Sequence, residues 1–146
     1  MTDSDDRKTG DSLRVDLGDR SYDILVGAGV LASAGTAIRA AAGGGRCWVV
    51  TDETVAPLYL DTVMASLQAA GLEAQSIILP AGEGTKAFAT LESIVNTVLD
   101  AAPERSSTLI ALGGGVVGDV TGFAASVILR GINFVQIPTT LLAKVD

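Results

Sequence analysis

The sequence predicts an α/β fold in which helices cover both faces of a parallel sheet. Short apolar segments alternate along the chain with longer segments whose apolar residues recur at helical spacing. Glycine or proline closes many of these segments, as at Gly71 and Pro80. Hydrophobic residues make up 48% of the 146 positions, which is enough for a substantial core. These observations together indicate a Rossmann-like architecture.

The chain opens with a polar, acidic tail over residues 1–12, and an α/β domain is predicted over residues 13–146. Apolar and polar residues alternate over 12–29 around a Gly-Asp turn, which predicts a β-hairpin before the sheet. An alanine-rich segment at 30–45 ends in glycines and predicts a helix. The apolar run at 46–50 then predicts a buried strand.

The middle of the chain predicts a second helix, a strand and a loop. Thr54 is expected to cap the helix, Pro57 fits its first turn, and the helix ends near Ala70. Residues 73–79 predict a strand, and "AGEGTK" at 81–86 predicts a loop.

The last part predicts two further strands, at 107–112 and 133–137, each preceded by a helix. A last helix, capped by Thr139, is expected to begin after the final strand. The apolar face of the helix at 87–99 is predicted to comprise Phe88, Leu91, Ile94, Val95 and Val98. That of the following helix is predicted to comprise Val116, Val120, Phe123, Ala124 and Val127.

Composition disfavours several classes of function. The net charge of −7 disfavours a nucleic-acid surface. The sequence has no histidine, which removes the commonest metal ligand and general base, and no metal site is expected within these residues. The single cysteine, Cys47, lies in an apolar run and is expected to be buried and inert. No secretory signal or membrane span is evident, so a cytoplasmic protein is expected.

Polar and glycine-rich stretches follow the predicted strands at 51–54, 81–86, 113–119 and 138–140. Ligands of open parallel sheets bind beyond the carboxyl ends of the strands. Within the third stretch, Gly113, Gly115 and Gly118 satisfy the dinucleotide pattern G-x-G-x-x-G. The glycines either let the backbone approach a phosphate at the helix start or allow the positive φ of a tight turn. The usual dinucleotide-binding motif lies in the first βα turn and is followed by an acidic residue about twenty residues later. The glycine motif of this sequence has neither feature.

Several charged residues near these stretches allow two interpretations. Asp119, placed in the first turn of the glycine-loop helix, either stabilises the helix dipole or accepts a hydrogen bond from a ligand. Glu83 and Lys86 either bind sugar hydroxyls and phosphate or belong to a solvated loop. Asp52 is a ribose ligand or a helix cap. Arg130 is an anion ligand or an ordinary surface residue.

The motifs "VTDETVAPLY", "PAGEGTK", "ALGGGVVGDVTGFAAS" and "RGINFVQIPTTLLAKVD" resemble the successive motifs of the 3-dehydroquinate synthase family. The resemblance covers nearly all of the chain after the tail and implies an NAD-binding N-terminal domain. It implies substrate contacts at Arg130, acting across a homodimer interface, and at Asp146. The implied cofactor contacts are Asp52, Thr54, Glu83, Lys86, Gly114, Gly115, Val116, Gly118, Asp119, Thr139 and Thr140, of which Thr54 stands where many members have asparagine.

The resemblance implies conversion of 3-deoxy-D-arabino-heptulosonate 7-phosphate to 3-dehydroquinate and phosphate in the shikimate pathway. NAD oxidises a substrate hydroxyl, phosphate is eliminated, the ketone is reduced again and an aldol step closes the ring. The family also uses a divalent metal, zinc or cobalt, held by a glutamate and two histidines in a helical C-terminal domain. Because these residues are missing here, the chain is expected to be a fragment without catalytic residues or activity of its own.

Three alternatives remain at this point. Another sugar-phosphate cyclase, such as a 2-deoxy-scyllo-inosose synthase, shares the glycine loop. A glycerol-1-phosphate dehydrogenase relative has a similar loop but lacks the "RG…PTTLLA" continuation. A non-catalytic nucleotide-binding fragment is the third alternative.

Overall fold

The computed structural model describes residues 11–15, 22–26 and 30–139. The first two segments form strands β1 (Asp11–Val15) and β2 (Tyr22–Val26), which pair antiparallel with Asp11 opposite Val26. The paired strands confirm the hairpin, while the predicted Gly-Asp turn lies outside the described residues. Strand β1 begins at Asp11, two residues before the predicted domain boundary at residue 13.

The main sheet has four parallel strands and confirms the predicted fold class. They are β3 (Cys47–Asp52), β4 (Ala74–Leu79), β5 (Thr108–Gly113) and β6 (Asn133–Pro138), in the spatial order β4-β3-β5-β6. The register places Asp52 opposite Leu79 and Gly113 opposite Pro138, so the strands end at the same edge of the sheet.

Four α-helices are described, and each connects to a strand of the sheet. A 3₁₀ turn at Leu31–Ser33 leads into α1 (Ala34–Ala42), and a π-helical turn at Ala56–Leu60 leads into α2 (Asp61–Ala69). The other two helices are α3 (Phe88–Asp100) and α4 (Gly115–Val127). The segments containing α1 and α2 are followed by Gly43 and Gly71, whose φ values of 87° and 80° suit glycine.

The two central strands of the sheet, β3 and β5, are buried on both faces, as their alternating side chains show. Trp48 and Val50 of β3 face a core with Ile94 and Val98 of α3, to which α4 also contributes. Cys47 and Val49 face the opposite core, built with α1 and α2. Continuous burial along β5 follows from this double cover and accounts for its uninterrupted apolar sequence.

Cys47 is buried, as expected from its apolar neighbours. Its burial raises the pKa of the thiol, which keeps the sulfur in its protonated, weakly nucleophilic form. Among the described residues, no helix is long and apolar enough to cross a membrane.

Two of the predicted apolar faces are partly wrong. On α3, Ile94 and Val98 are buried, but Phe88 is 86% exposed at the start of the helix. On α4, Phe123 and Val127 are about half exposed. The buried face of α4 instead comprises Val117, Gly118, Val120, Thr121, Ala124 and Ala125. Because α4 carries apolar residues on several sides, helical spacing alone admits more than one inward face.

Helices α1 and α2 approach closely at Gly35. The Gly35 N–H donates to Ser66 Oγ at 2.8 Å, and Ser66 Oγ donates to the carbonyl of Ala32 at 2.9 Å. A Cβ on Gly35 would lie 2.1 Å from the backbone oxygen of Ser66, closer than real contacts permit. The two helices can therefore keep this spacing only with glycine at position 35.

We expect Gly35→Ala to lower the free energy of unfolding by about 1–3 kcal/mol, because α1 and α2 must move apart to admit the methyl group. Gly84→Ala is the matched control, since a Cβ there meets no atom within 4 Å and should change stability by less than about 0.5 kcal/mol. Denaturant unfolding monitored by circular dichroism measures both. Equal stability of the two variants would contradict the close approach at Gly35.

Candidate functional site

A cleft of about 360 Å³ lies where the parallel strands end. Its walls come from the segments after β3, β4, β5 and β6, which are the four stretches that the sequence singled out. The residues that line it are Asp52, Thr54, Val55, Gly82, Gly114, Gly115, Val116, Val117 and Thr139. Six of the predicted cofactor contacts therefore meet in one place.

The start of α4 forms one wall of this cleft. Gly114 occupies the N-cap position in an extended conformation and makes no side-chain cap. The first turn begins with Gly118 N–H donating to the carbonyl of Gly114 at 3.0 Å. The N–H groups of Gly115, Val116 and Val117 precede that bond and point out of the helix start, as in known anion sites. A further bond, from Thr139 N–H to the carbonyl of Gly113, joins the end of β6 to the loop.

The glycines of this loop serve close approach and not positive φ. None of Gly113, Gly115 and Gly118 is among the residues with positive φ, so the tight-turn interpretation is wrong. A Cβ on Gly113 would lie 3.0 Å from Val117, and one on Gly118 would lie 2.6 Å from Gln136 Nε2 of β6. Gly118 is buried against the sheet and does not line the cleft. Its position matches the packing role of the third glycine in dinucleotide-binding loops.

The sequence did not single out Gly122, which continues this packing one helical turn later. A Cβ on Gly122 would lie 3.1 Å from the ring of Phe134 on β6. The spacing of four residues from Gly118 was the available signal, since residues four apart share a helix face.

Asp52 ends β3 and fixes the loop that follows. Its Oδ1 accepts the N–H groups of Thr54 and Val55, at 2.9 and 2.8 Å. The predicted cap by Thr54 is wrong, because the π-helical turn that leads into α2 has Val55 at its N-cap position and no side-chain cap. Thr54 is exposed and lines the cleft, as does Val55, which the sequence did not single out.

Lys86 and Asp119 form an ion pair at the side of the cleft, although neither lines it. Lys86 Nζ donates to Asp119 Oδ2 at 2.8 Å, and both side chains are about half exposed. The hydrogen bond and charge of Asp119 raise the pKa of Lys86, with a smaller contribution from Glu83. Asp119 is the fifth residue of α4, so its predicted place in the first turn is wrong.

The loop between β4 and α3 is held by one hydrogen bond to the segment after β3 and by one within the loop itself. Glu53 Oε1 accepts the N–H of Ala81 at 3.3 Å, and the hydroxyl of buried Thr85 donates to the carbonyl of Pro80. Gly82, with φ of 107°, turns this loop into the cleft wall. Glu83 lies in the 3₁₀ turn Glu83–Thr85 and is exposed outside the lining.

The predicted substrate contact Arg130 does not line the cleft. Arg130 is exposed at the end of a short 3₁₀ turn after α4, with φ of 66°. Asp146 and the predicted cofactor contact Thr140 lie outside the described residues. Within residues 30–139, His, Cys, Asp and Glu form no group of three that could hold a metal ion.

We expect Asp52→Ala to lower the free energy of unfolding by about 1 kcal/mol, because two backbone N–H groups lose their acceptor. Asp52→Asn is the control, since its amide oxygen can still accept and most of the stability should remain. Urea unfolding of both variants tests the role of Asp52. A loss as large in Asp52→Asn as in Asp52→Ala would show that the hydrogen bonds are not the source of the effect.

The sequence is similar to 3-dehydroquinate synthases. Residues 76–146 match the family model described as 3-dehydroquinate synthase N-terminal. The 3-dehydroquinate synthase of Rhizobium rhizogenes is 53% identical over 134 residues, which cover 92% of this chain and 36% of the relative. That of Rhizobium meliloti is 55% identical over 134 residues, with the same coverage of 92% and 36%. The chain thus spans little more than a third of the length of these relatives.

Two solved structures share the fold. A 2-deoxy-scyllo-inosose synthase complexed with carbaglucose-6-phosphate, NAD⁺ and Co²⁺ matches 91% of this chain and 36% of its own, with a TM-score of 0.80 and 23% identity. A 2-epi-5-epi-valiolone synthase from Streptomyces hygroscopicus, with NAD⁺ and Zn²⁺ bound, matches 67% of this chain and 28% of its own, with a TM-score of 0.60 and 34% identity. Over residues 76–146 the chain matches the N-terminal part of 3-dehydroquinate synthases, and its sequence is similar to those enzymes over 92% of its length.

Proposed function

We propose that the cleft binds NAD and that the chain is the NAD-binding part of a 3-dehydroquinate synthase. The observation that carries this proposal is the uncapped start of α4 in the wall of a cleft where four strand ends meet. The two solved cyclases, whose structures contain NAD⁺, support it further.

The residues of the cleft fit a dinucleotide. The N–H groups of Gly115, Val116 and Val117 suit a pyrophosphate, because the glycines let its oxygens approach the helix start. Asp52 uses one oxygen for its backbone bonds, but a carboxylate has about four acceptor positions and so retains capacity for a ribose hydroxyl. Thr139 and Thr54 add hydroxyls to the same lining. Glu83, Lys86 and Asp119, which do not line the cleft, remain proposed residues of the NAD site, as does Thr140, which lies outside the described residues.

The proposed reaction converts 3-deoxy-D-arabino-heptulosonate 7-phosphate to 3-dehydroquinate and phosphate. NAD supplies a hydride acceptor that later returns the hydride. This chain contributes cofactor binding, together with substrate contacts from Arg130 and Asp146. The whole enzyme is proposed to bind a zinc or cobalt ion as well. None of the described residues is proposed as a ligand of that ion. Turnover of the sugar phosphate by the 146-residue chain would contradict this division of roles.

Another sugar-phosphate cyclase is the second candidate, favoured by the fold shared with the two solved cyclases. The identities of 53–55% with 3-dehydroquinate synthases, against 23–34% with those cyclases, favour the first candidate. A cytoplasmic location remains a prediction from the sequence.

We expect the 146-residue chain to bind NAD⁺ in isothermal titration calorimetry, and Gly115→Val to weaken that binding at least about tenfold, because the isopropyl group enters the cleft and blocks the helix start. Gly44→Ala is the control, since Gly44 lies outside this cleft, φ there is not positive, and a Cβ makes only an ordinary contact with Arg39. Absence of heat with millimolar NAD⁺ would contradict the proposal.

We further propose a homodimer that uses the outer side of α4 and the neighbouring edge of the sheet. Large apolar side chains are exposed there, and α4 packs on β6 through Gly122. Arg130 lies in the connection between these two elements, in keeping with a role across a subunit interface. The exposed apolar residues are Phe123, Val127, Leu129 and Phe134.

We expect analytical ultracentrifugation to find a dimer that Phe123→Lys converts to a monomer, because a charge would be buried at the interface. Leu58→Lys is the matched control, since Leu58 is 65% exposed but lies outside this surface. A dimer that survives Phe123→Lys, or a chain that is monomeric without substitution, would rule out this interface.

A further inference from the structure

The Lys86–Asp119 pair connects two elements that line the cleft. Gly115 and Val116 line it from α4, and Asp119 follows them by four and three residues, so it lies on the same side of that helix. Lys86 comes from the loop that contributes Gly82 to the lining. The pair therefore bridges the glycine-loop helix and the β4–α3 loop beside the cleft.

A free carboxylate at position 119 would oppose anion binding at the start of α4. The helix start attracts anions through its partial positive charge and its free N–H groups. Asp119 is one turn away, and an unpaired negative charge there would offset part of that attraction.

Lys86 removes this repulsion. Its ammonium group contacts the Asp119 carboxylate at 2.8 Å, and this contact raises the pKa of Lys86, which favours the charged form of the amine. The side chains are 54% and 55% exposed, so salt should screen the interaction.

Resting on the proposed function, we propose that Lys86 acts as a positioning residue that favours dinucleotide binding by orienting and neutralising Asp119, and not by holding the pyrophosphate itself. Asp119 is then free to use its other oxygen for a hydroxyl or amide of the ligand without repelling the phosphates. Action through Asp119 and direct contact with the pyrophosphate predict different dissociation constants in a double-mutant cycle.

The test measures dissociation constants of NAD⁺ by calorimetry for the unmodified chain, Lys86→Gln, Asp119→Asn and the double variant. At low ionic strength, Lys86→Gln should weaken binding about threefold, because Asp119 is left unpaired. The double variant should bind more tightly than Lys86→Gln, and Lys86→Arg should retain most of the affinity. At an ionic strength of about 1 M, the effect of Lys86→Gln should shrink, since the Debye length is about 3 Å.

If the double variant binds more weakly than Asp119→Asn by the same factor by which Lys86→Gln weakens binding to the unmodified chain, Lys86 acts on the ligand without Asp119, which would overturn the inference while leaving NAD binding intact. The same cycle with inorganic pyrophosphate tests the role of Lys86 separately from the proposed binding of NAD. Recovery in the double variant with pyrophosphate, but no binding of NAD⁺, would retain the inference and overturn the proposed cofactor. Binding of neither probe overturns both. Circular dichroism of each variant shows that its fold is unchanged.

Discussion

The close approach of α4 to the sheet is the constraint on which the rest of the site depends. Gly113 fits against Val117, and Gly118 and Gly122 let the helix lie against Gln136 and Phe134 of β6. A side chain at these positions would require Val117, Gln136 and Phe134 to move, or the helix to shift from the strands. With glycine there, the helix start stands at the edge where β5 and β6 end. The glycines thus act first on packing, and the geometry of the cleft follows from it.

The site that results is built largely from backbone groups, and side chains complete it. Helix N–H groups suit a phosphate because they are fixed in place before the ligand arrives. The Asp52 carboxylate accepts hydrogen bonds from the N–H groups of Thr54 and Val55. These bonds constrain the backbone of this wall of the cleft. The Lys86–Asp119 pair lies on the exposed side of the site, where an ion pair contributes little to the free energy of unfolding.

The apolar side chains that remain exposed on the outer side of α4 are explained by the same packing. The helix turns its small and medium residues, such as Ala124 and Val120, toward the sheet, and this leaves Phe123 and Val127 outside. One helix therefore supplies the cleft wall at its start, a buried face along its length and an apolar surface suited to a further contact.

The sequence by itself determined the alternation of strands and helices, the hairpin strands and the four stretches that surround the cleft, because these depend on local periodicity and on residues that end each element. Six of the residues that the family resemblance implies as cofactor contacts line that cleft. Only the tertiary structure decided which face of α4 is buried, that Asp52 and not Thr54 binds the backbone of the following loop, and that Phe88 is exposed. It also decided that Lys86 pairs with Asp119, 33 residues away, and that Gly122 meets Phe134. Such contacts depend on the distance between elements in space, which no local pattern of residue types contains.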